Sequence, residues 1–126
     1  MISATLCLST LLILVWTHLF ADFFLQTDKM AISKSSSNAW LSVHVSAYII
    51  PFLILCGWKF AAVNFVAHWL TDFFSSRATT KLWKLGEAAN AAKQPNSYRH
   101  WFFTVIGVDQ ALHMTALILT IPLIGW

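Results

Sequence analysis

Residues 2–26 read ISATLCLSTLLILVWTHLFADFFLQ, and no charge stands before His18. A helix that crosses a bilayer needs about 20 predominantly apolar residues, and this run supplies them. A secretory signal would open on a basic residue and close on a small-residue cleavage site. Neither flanks the run, so it reads as a retained first membrane helix. The composition around it agrees: of 126 residues 58% are hydrophobic and 10% charged, with seven tryptophans. A soluble domain carries about 25% charged residues. A soluble fold of this size cannot hide so much apolar surface, so the expected solvent is the bilayer and residues 1–126 form a single transmembrane domain.

Beyond this run, residues 39–58 form a second span, with Asn38 as its N-cap. Gly57-Trp58-Lys59 then turns the chain into a shorter third helix, about Phe60 to Ser75. The fourth helix covers residues 98–126 behind Pro95-Asn96-Ser97, a helix-start signal. Pro51 and Pro122 fall inside helices two and four, where membrane helices tolerate a kink. Residues 76–97, SRATTKLWKLGEAANAAKQPNS, are the long polar segment. Its LWKL core beside Arg77, Lys81 and Lys84 predicts a short helix on the membrane surface, with a solvated loop as the alternative. The expected fold class is all-α: an integral membrane bundle of four transmembrane helices, up and down, with an interfacial helix between helices three and four.

The basic residues orient this bundle. Lys29 and Lys34 lie in the first loop, and Arg77, Lys81, Lys84, Lys93 and Arg99 in or beside the third, which leaves Lys59 alone on the other side. Lysine and arginine concentrate on the cytoplasmic face, so both termini should point outward from a bacterial cytoplasmic (inner) membrane. The net charge of +3 then reads as topology and attraction to anionic headgroups, and nucleic acid is not an expected partner. Cys7 and Cys56 stand in apolar stretches at similar distances from the histidines of their helices, and can be neighbours. They read as small apolar thiols. No Cys-x-x-Cys, Gly-rich phosphate loop or Gly-x-Ser-x-Gly pattern is present.

Against this background the ionisable residues stand out. HLFADFF (18–24) and HWLTDFF (68–74) place histidine and aspartate four apart, and DQALH (109–113) reverses the order. Residues i and i+4 share a helix face, so each pair points one way. Chain direction brings His18/Asp22, His68/Asp72 and the single His44 toward the cytoplasmic ends of their helices, with Asp109/His113 somewhat deeper. At about 1.5 Å rise per residue, all seven fit one zone in the cytoplasmic half. One intramembrane histidine is more often a packing residue, and His100, beside Arg99, reads that way. For seven together that reading fails on energy: a charge in the bilayer costs about 3 kcal/mol on insertion scales.

Imidazole and carboxylate at this spacing are metal-ligand spacing, and metal binding is the expectation, with a purely structural His–Asp hydrogen-bond network as the alternative. The expected ligands are His18, Asp22, His44, His68, Asp72, Asp109 and His113, and the expected cofactor is a divalent metal. Four imidazoles favour zinc; iron or manganese suits carboxylates that bridge two ions. Seven ligands exceed the four of a closed structural site. Either some orient others or serve as bases, or the site holds two ions about 3.5–4 Å apart. Gln26, Tyr48, Asn64 and Gln110 continue the same faces and can orient ligands or substrate; Tyr48 and Asn64 can equally bond helix to helix. Lys29, Lys34 and Arg77 stand at the rim, where topology explains them as well as an anionic headgroup does. The recurrence of the motif suggests a duplicated two-helix hairpin about an axis along the membrane normal.

HxxxDFFLQTDKMAISK, HxxxDFFSSR and GVDQALH together resemble a small membrane family of bacteria and their phages, known as a domain of unknown function. The resemblance covers nearly the whole chain and implies a compact multi-helix membrane protein. More distantly, the layout is similar to the membrane-bound metal-dependent hydrolases, without their opening Thr-His-x-x-x-His signature. The leading expectation is a membrane-embedded metal-dependent hydrolase acting on a lipid or lipid-linked substrate near the cytoplasmic face, with Asp109 as general base. A metal-ion or proton translocator, and a structural metal-binding interaction protein, are the alternatives. A homo-oligomer is compatible with all three.

Overall fold

The computed structural model describes residues 4–125. It is all-helical, with no strand among the described residues. α1 (Ala4–Leu19) runs directly into a π-helical turn (Phe20–Phe24), followed by a short α2 (Asp28–Ser33), α3 (Asn38–Cys56), α4 (Trp58–Ala91), α5 (Tyr98–Leu119) and a 3₁₀ turn (Ile121–Leu123).

Local chemistry fixes most boundaries. Thr27 caps α2 by accepting from the Met30 backbone N–H, and Ser37 caps α3 by accepting from that of Trp40. Each satisfies an N–H that has no partner within its own helix. The α3 cap is therefore Ser37, and Asn38, expected in that role, is the first helical residue. Pro51 lies within α3, which continues to Cys56. Pro122 does not kink the last helix: α5 ends at Leu119, and the proline sits in the 3₁₀ turn beyond it. α5 starts behind Ser97, as the Pro-Asn-Ser signal implies.

The main correction concerns α4. The expected break near Ser75, with a separate surface helix after it, does not occur. Trp58–Ala91 is one helix of 34 residues, about 51 Å long at 1.5 Å per residue. Hydropathy drops beyond Ser75, but backbone propensity does not. Alanine, lysine, leucine and glutamate dominate the segment and no proline interrupts it, so the backbone ladder runs on. Asp28 lies in α2 and Glu87 in this extension, so neither acid stands in a loop.

α4 is the spine of the molecule. α3 reverses into it through Gly57 alone and packs antiparallel along its first half: Phe52 meets Phe60, His44 meets His68, and Trp69 Nε1 donates to Ser42 Oγ. α5 packs antiparallel along another face in constant register. Asn64 donates to Thr120, Ser75 to Asp109, and Asn96, just ahead of α5, to the Gly86 carbonyl. α5 is thus displaced along α4 relative to α3, and its first turns lie against the α4 extension, where Trp83 touches Phe102.

Leu14, Ala21, Tyr48, Phe52, Cys56, Phe60 and Leu117 form the apolar core. It fills the end of the bundle where Gly125 N–H donates to the Cys56 carbonyl. Cys56 is a buried core thiol and Cys7 is exposed; both are free. Leu12, Ile13, Trp16, Phe24, Ile54, Phe74 and Leu119 face outward. Residues 7–24, 38–56 and 98–119 are long and apolar enough to cross a membrane. An outer surface of this kind fits a membrane protein.

Candidate metal centre

All seven predicted residues meet beside the apolar core, whose Ala21 and Tyr48 border them. His68 and Asp72 project from α4, which keeps regular α-helical geometry through HWLTDFF. HLFADFF behaves differently: its last five residues form the π turn, in which Leu25 N–H bonds the Phe20 carbonyl. π turns inside helices are rare and often stand at functional sites. This one buries Ala21 and Asp22, and carries the Asp22 carboxylate to the histidines of α3 and α4.

Two ligand sets result. In the first, His44 Nε2 lies 3.1 Å from Asp22 Oδ1, 3.3 Å from Asp72 Oδ2 and 3.3 Å from His68 Nε2. His68 Nε2 lies 3.5 Å from Asp22 Oδ1 and 3.6 Å from Asp72 Oδ2. A tetrahedral zinc bound at about 2.0–2.1 Å holds its ligands about 3.3–3.4 Å apart, and the observed separations bracket that edge. Asp22 Oδ1 is buried without a directed hydrogen bond, as suits a carboxylate oxygen facing a cation rather than a donor. The four residues are all buried and form a group that could hold a metal ion.

The second set is Asp72, Asp109 and His113. His113 Nε2 lies 3.0 Å from Asp72 Oδ1 and 3.4 Å from Asp109 Oδ2. Asp72 therefore turns Oδ2 toward the first group, where Lys34 Nζ also meets it, and Oδ1 toward the second. Asp109 differs from the rest in being partly open, with its side chain 12% exposed.

His18 belongs to neither set. Its Nδ1 is 3.0 Å from the Tyr48 hydroxyl and its Nε2 is 2.9 Å from Gln110 Oε1, with Asp22 Oδ2 farther off at 3.8 Å. Both nitrogens are engaged, so it orients neighbours instead of offering a free lone pair. Gln110 Nε2 donates to Asp22 Oδ2 and Asp109 Oδ2, tying the two sets together. The Tyr48 ring stacks on His68 at 3.8 Å.

The other predicted residues divide. Lys34 Nζ pairs with Asp72 Oδ2 at 2.8 Å. Gln26 lines the cavity over the site, with its Oε1 buried and unpartnered. Asn64 bonds the Phe60 carbonyl and Thr120, a helix-to-helix role. Lys29 sits over the Trp40 ring, and Arg77 binds Asn38 and the Phe73 carbonyl. His100 packs against Trp101.

The sequence reading missed Ser75 and Ser76. Ser75 donates to Asp109 Oδ1, and Ser76 is buried on the cavity wall. A signal existed for Ser76, because positions 68, 72 and 76 are successive steps along one helix face. The cavity lies between the π turn and α2 on one side and α4 and α5 on the other, with Asp22, Asp72 and Asp109 among its lining.

No curated protein and no solved structure matches the chain. A family model described as "Protein of unknown function (DUF3307)" matches residues 10–126, nearly the full length, and the chain belongs to that family.

Proposed function

We propose that this protein is a membrane-embedded, metal-dependent hydrolase of a lipid or lipid-linked substrate. The observation that carries the reading is the pair of ligand sets joined through Asp72, one of which opens on a cavity through Asp109. A closed structural site needs four ligands and no cavity. Ions held there, zinc first and iron or manganese next, supply a Lewis acid and water activated near neutral pH. Asp109, on the cavity wall with its carboxylate fixed by Ser75, Gln110 and His113, would serve as general base toward such a water. Four helices cross the membrane in this reading, α4 among them, shielded by α3 and α5. The bundle is a duplicated hairpin in the bacterial inner membrane, with termini outward and the site toward the cytoplasm.

The translocator is the weaker alternative. A relay needs polar groups through the full depth of the membrane, and Leu14, Phe52, Phe60 and Leu117 pack the other half of the bundle.

The test is Asp109→Asn. The amide keeps the shape of the carboxylate but not its basicity. The purified variant should retain the ion of the Asp22–His44–His68–Asp72 set and its thermal stability while losing turnover on a panel of lipid and lipid-linked esters. Full turnover would remove Asp109 as the base. Joint loss of metal and early melting would favour a structural site.

A further inference from the structure

The cavity over the aspartates has a volume of about 320 Å³ and two kinds of wall. Lys34 and Ser76 face it on the polar side, and Phe23, Phe102 and Ile106 on the apolar side. Ser76 is 6% exposed, and its hydroxyl has no hydrogen-bond partner. Buried hydroxyls almost always find a partner, so a hydroxyl donor left free on a cavity wall points to an absent acceptor. Among the described lysines and arginines, Lys34 is the one that reaches a site carboxylate. Its side chain remains 18% exposed and lines the cavity.

Charge narrows the acceptor. Asp22, Asp72 and Asp109 against Lys34 leave two net negative charges, which repel an anion. Two divalent ions in the two ligand sets reverse this to two net positive charges, the complement of a dianion. The volume admits a phosphate and the first few carbons of an ester. Anything longer must leave the cavity, whose wall includes the exposed Phe23.

We propose that this cavity binds the phosphate of a phosphomonoester, with Lys34 and Ser76 donating to its oxygens and its organic part lying along Phe23, Phe102 and Ile106. The proposal rests on the metal-dependent hydrolase reading and names its substrate class. In the reaction a water oxygen bonds to phosphorus and the phosphorus–oxygen bond to the alcohol breaks. Asp109 takes the water proton and returns it to the departing alkoxide. The products are the alcohol and inorganic phosphate, and no oxidant or further reactant is consumed.

The experiment uses the full chain in detergent micelles, loaded with zinc or manganese. It is titrated with inorganic phosphate by calorimetry, with metal content measured on the same samples. Loaded protein should bind phosphate and chelated protein should not. Lys34→Met should weaken binding about tenfold and Ser76→Ala about threefold, with metal content unchanged, as expected for donors to a charged acceptor. Ser76→Ala removes an unpaired hydroxyl alone, and it carries the test if Lys34→Met does not fold. Phosphatidic acid in mixed micelles and soluble glycerol 3-phosphate then separate the sources. Phosphate release from the lipid alone assigns an amphiphile, release from the soluble ester assigns a free monoester, and release from neither overturns the proposal. Phosphate binding that is absent from loaded protein, or unchanged in both variants, overturns it while leaving the metal reading intact. A chain that holds no divalent ion overturns both.

Discussion

His18 uses both ring nitrogens within the protein, on Tyr48 and Gln110, while His44 and His68 turn Nε2 toward each other and toward two carboxylates. The distinction carries a prediction. His44→Ala and His68→Ala should each empty the first ligand set, because they remove a converging lone pair. His18→Ala should keep the metal stoichiometry and weaken affinity about tenfold or more, the usual consequence of losing an orienting partner. Equilibrium dialysis with elemental analysis separates the two outcomes, and equal loss in all three variants would place His18 among the ligands. All seven clustered residues were legible in the sequence, because i,i+4 spacing fixes which face a side chain occupies. Which of them fall in the groups that could hold an ion was not legible. That depends on where the ring nitrogens point, and for His18 this is set by Tyr48 and Gln110, far away in the chain. Lys34 was likewise legible only as a rim charge, since its pairing with Asp72 comes from the way α2 folds back.

At the scale of elements, the sequence yields the apolar helices, and it fails where hydropathy and backbone propensity part. Polar residues after Ser75 suggested an end to the third helix, yet nothing there stops the hydrogen-bond ladder, and α4 continues to Ala91. The π turn is the converse case. HLFADFF and HWLTDFF match in pattern but differ in backbone, and no residue type announces the extra step. One connection was legible at its glycine, although Trp58 and Lys59, expected in the turn, already belong to α4. Gly57 joins α3 to α4 with φ +86° and ψ 169°, a region open essentially to glycine alone. A Cβ there would also run into the Gly125 carbonyl. Gly57→Ala should therefore destabilise the bundle by about 1–3 kcal/mol, with the Gly125–Cys56 hydrogen bond disturbed as well. Denaturant unfolding in micelles measures this, and an unchanged midpoint would mean that the turn relaxes without strain.

The whole molecule is built of two unlike halves on one spine. Near the α3–α4 turn, Phe52, Phe60, Leu14 and Leu117 pack as an apolar core. Toward the other end, histidines and aspartates fill the same interhelical space. The apolar half, together with α4 and its antiparallel partners, should hold the fold without an ion. An ion that binds the folded state then adds stability through linkage, about 2.7 kcal/mol when free metal stands at a hundred times its dissociation constant. Chelation should lower the melting temperature measured by circular dichroism in micelles but leave the helical signal intact at room temperature. Phe60→Ala supplies the contrast. It opens a cavity in the apolar half at a cost of about 3–5 kcal/mol, and it should lower the melting temperature while the metal stoichiometry stays unchanged. If chelation alone abolished the helical signal at room temperature, the ion would be part of the scaffold and the hydrolase reading would lose its ground. Survival of the folded apo protein, together with metal retention in Phe60→Ala, would show that site and scaffold are separable, as a catalytic centre set into a self-sufficient bundle requires.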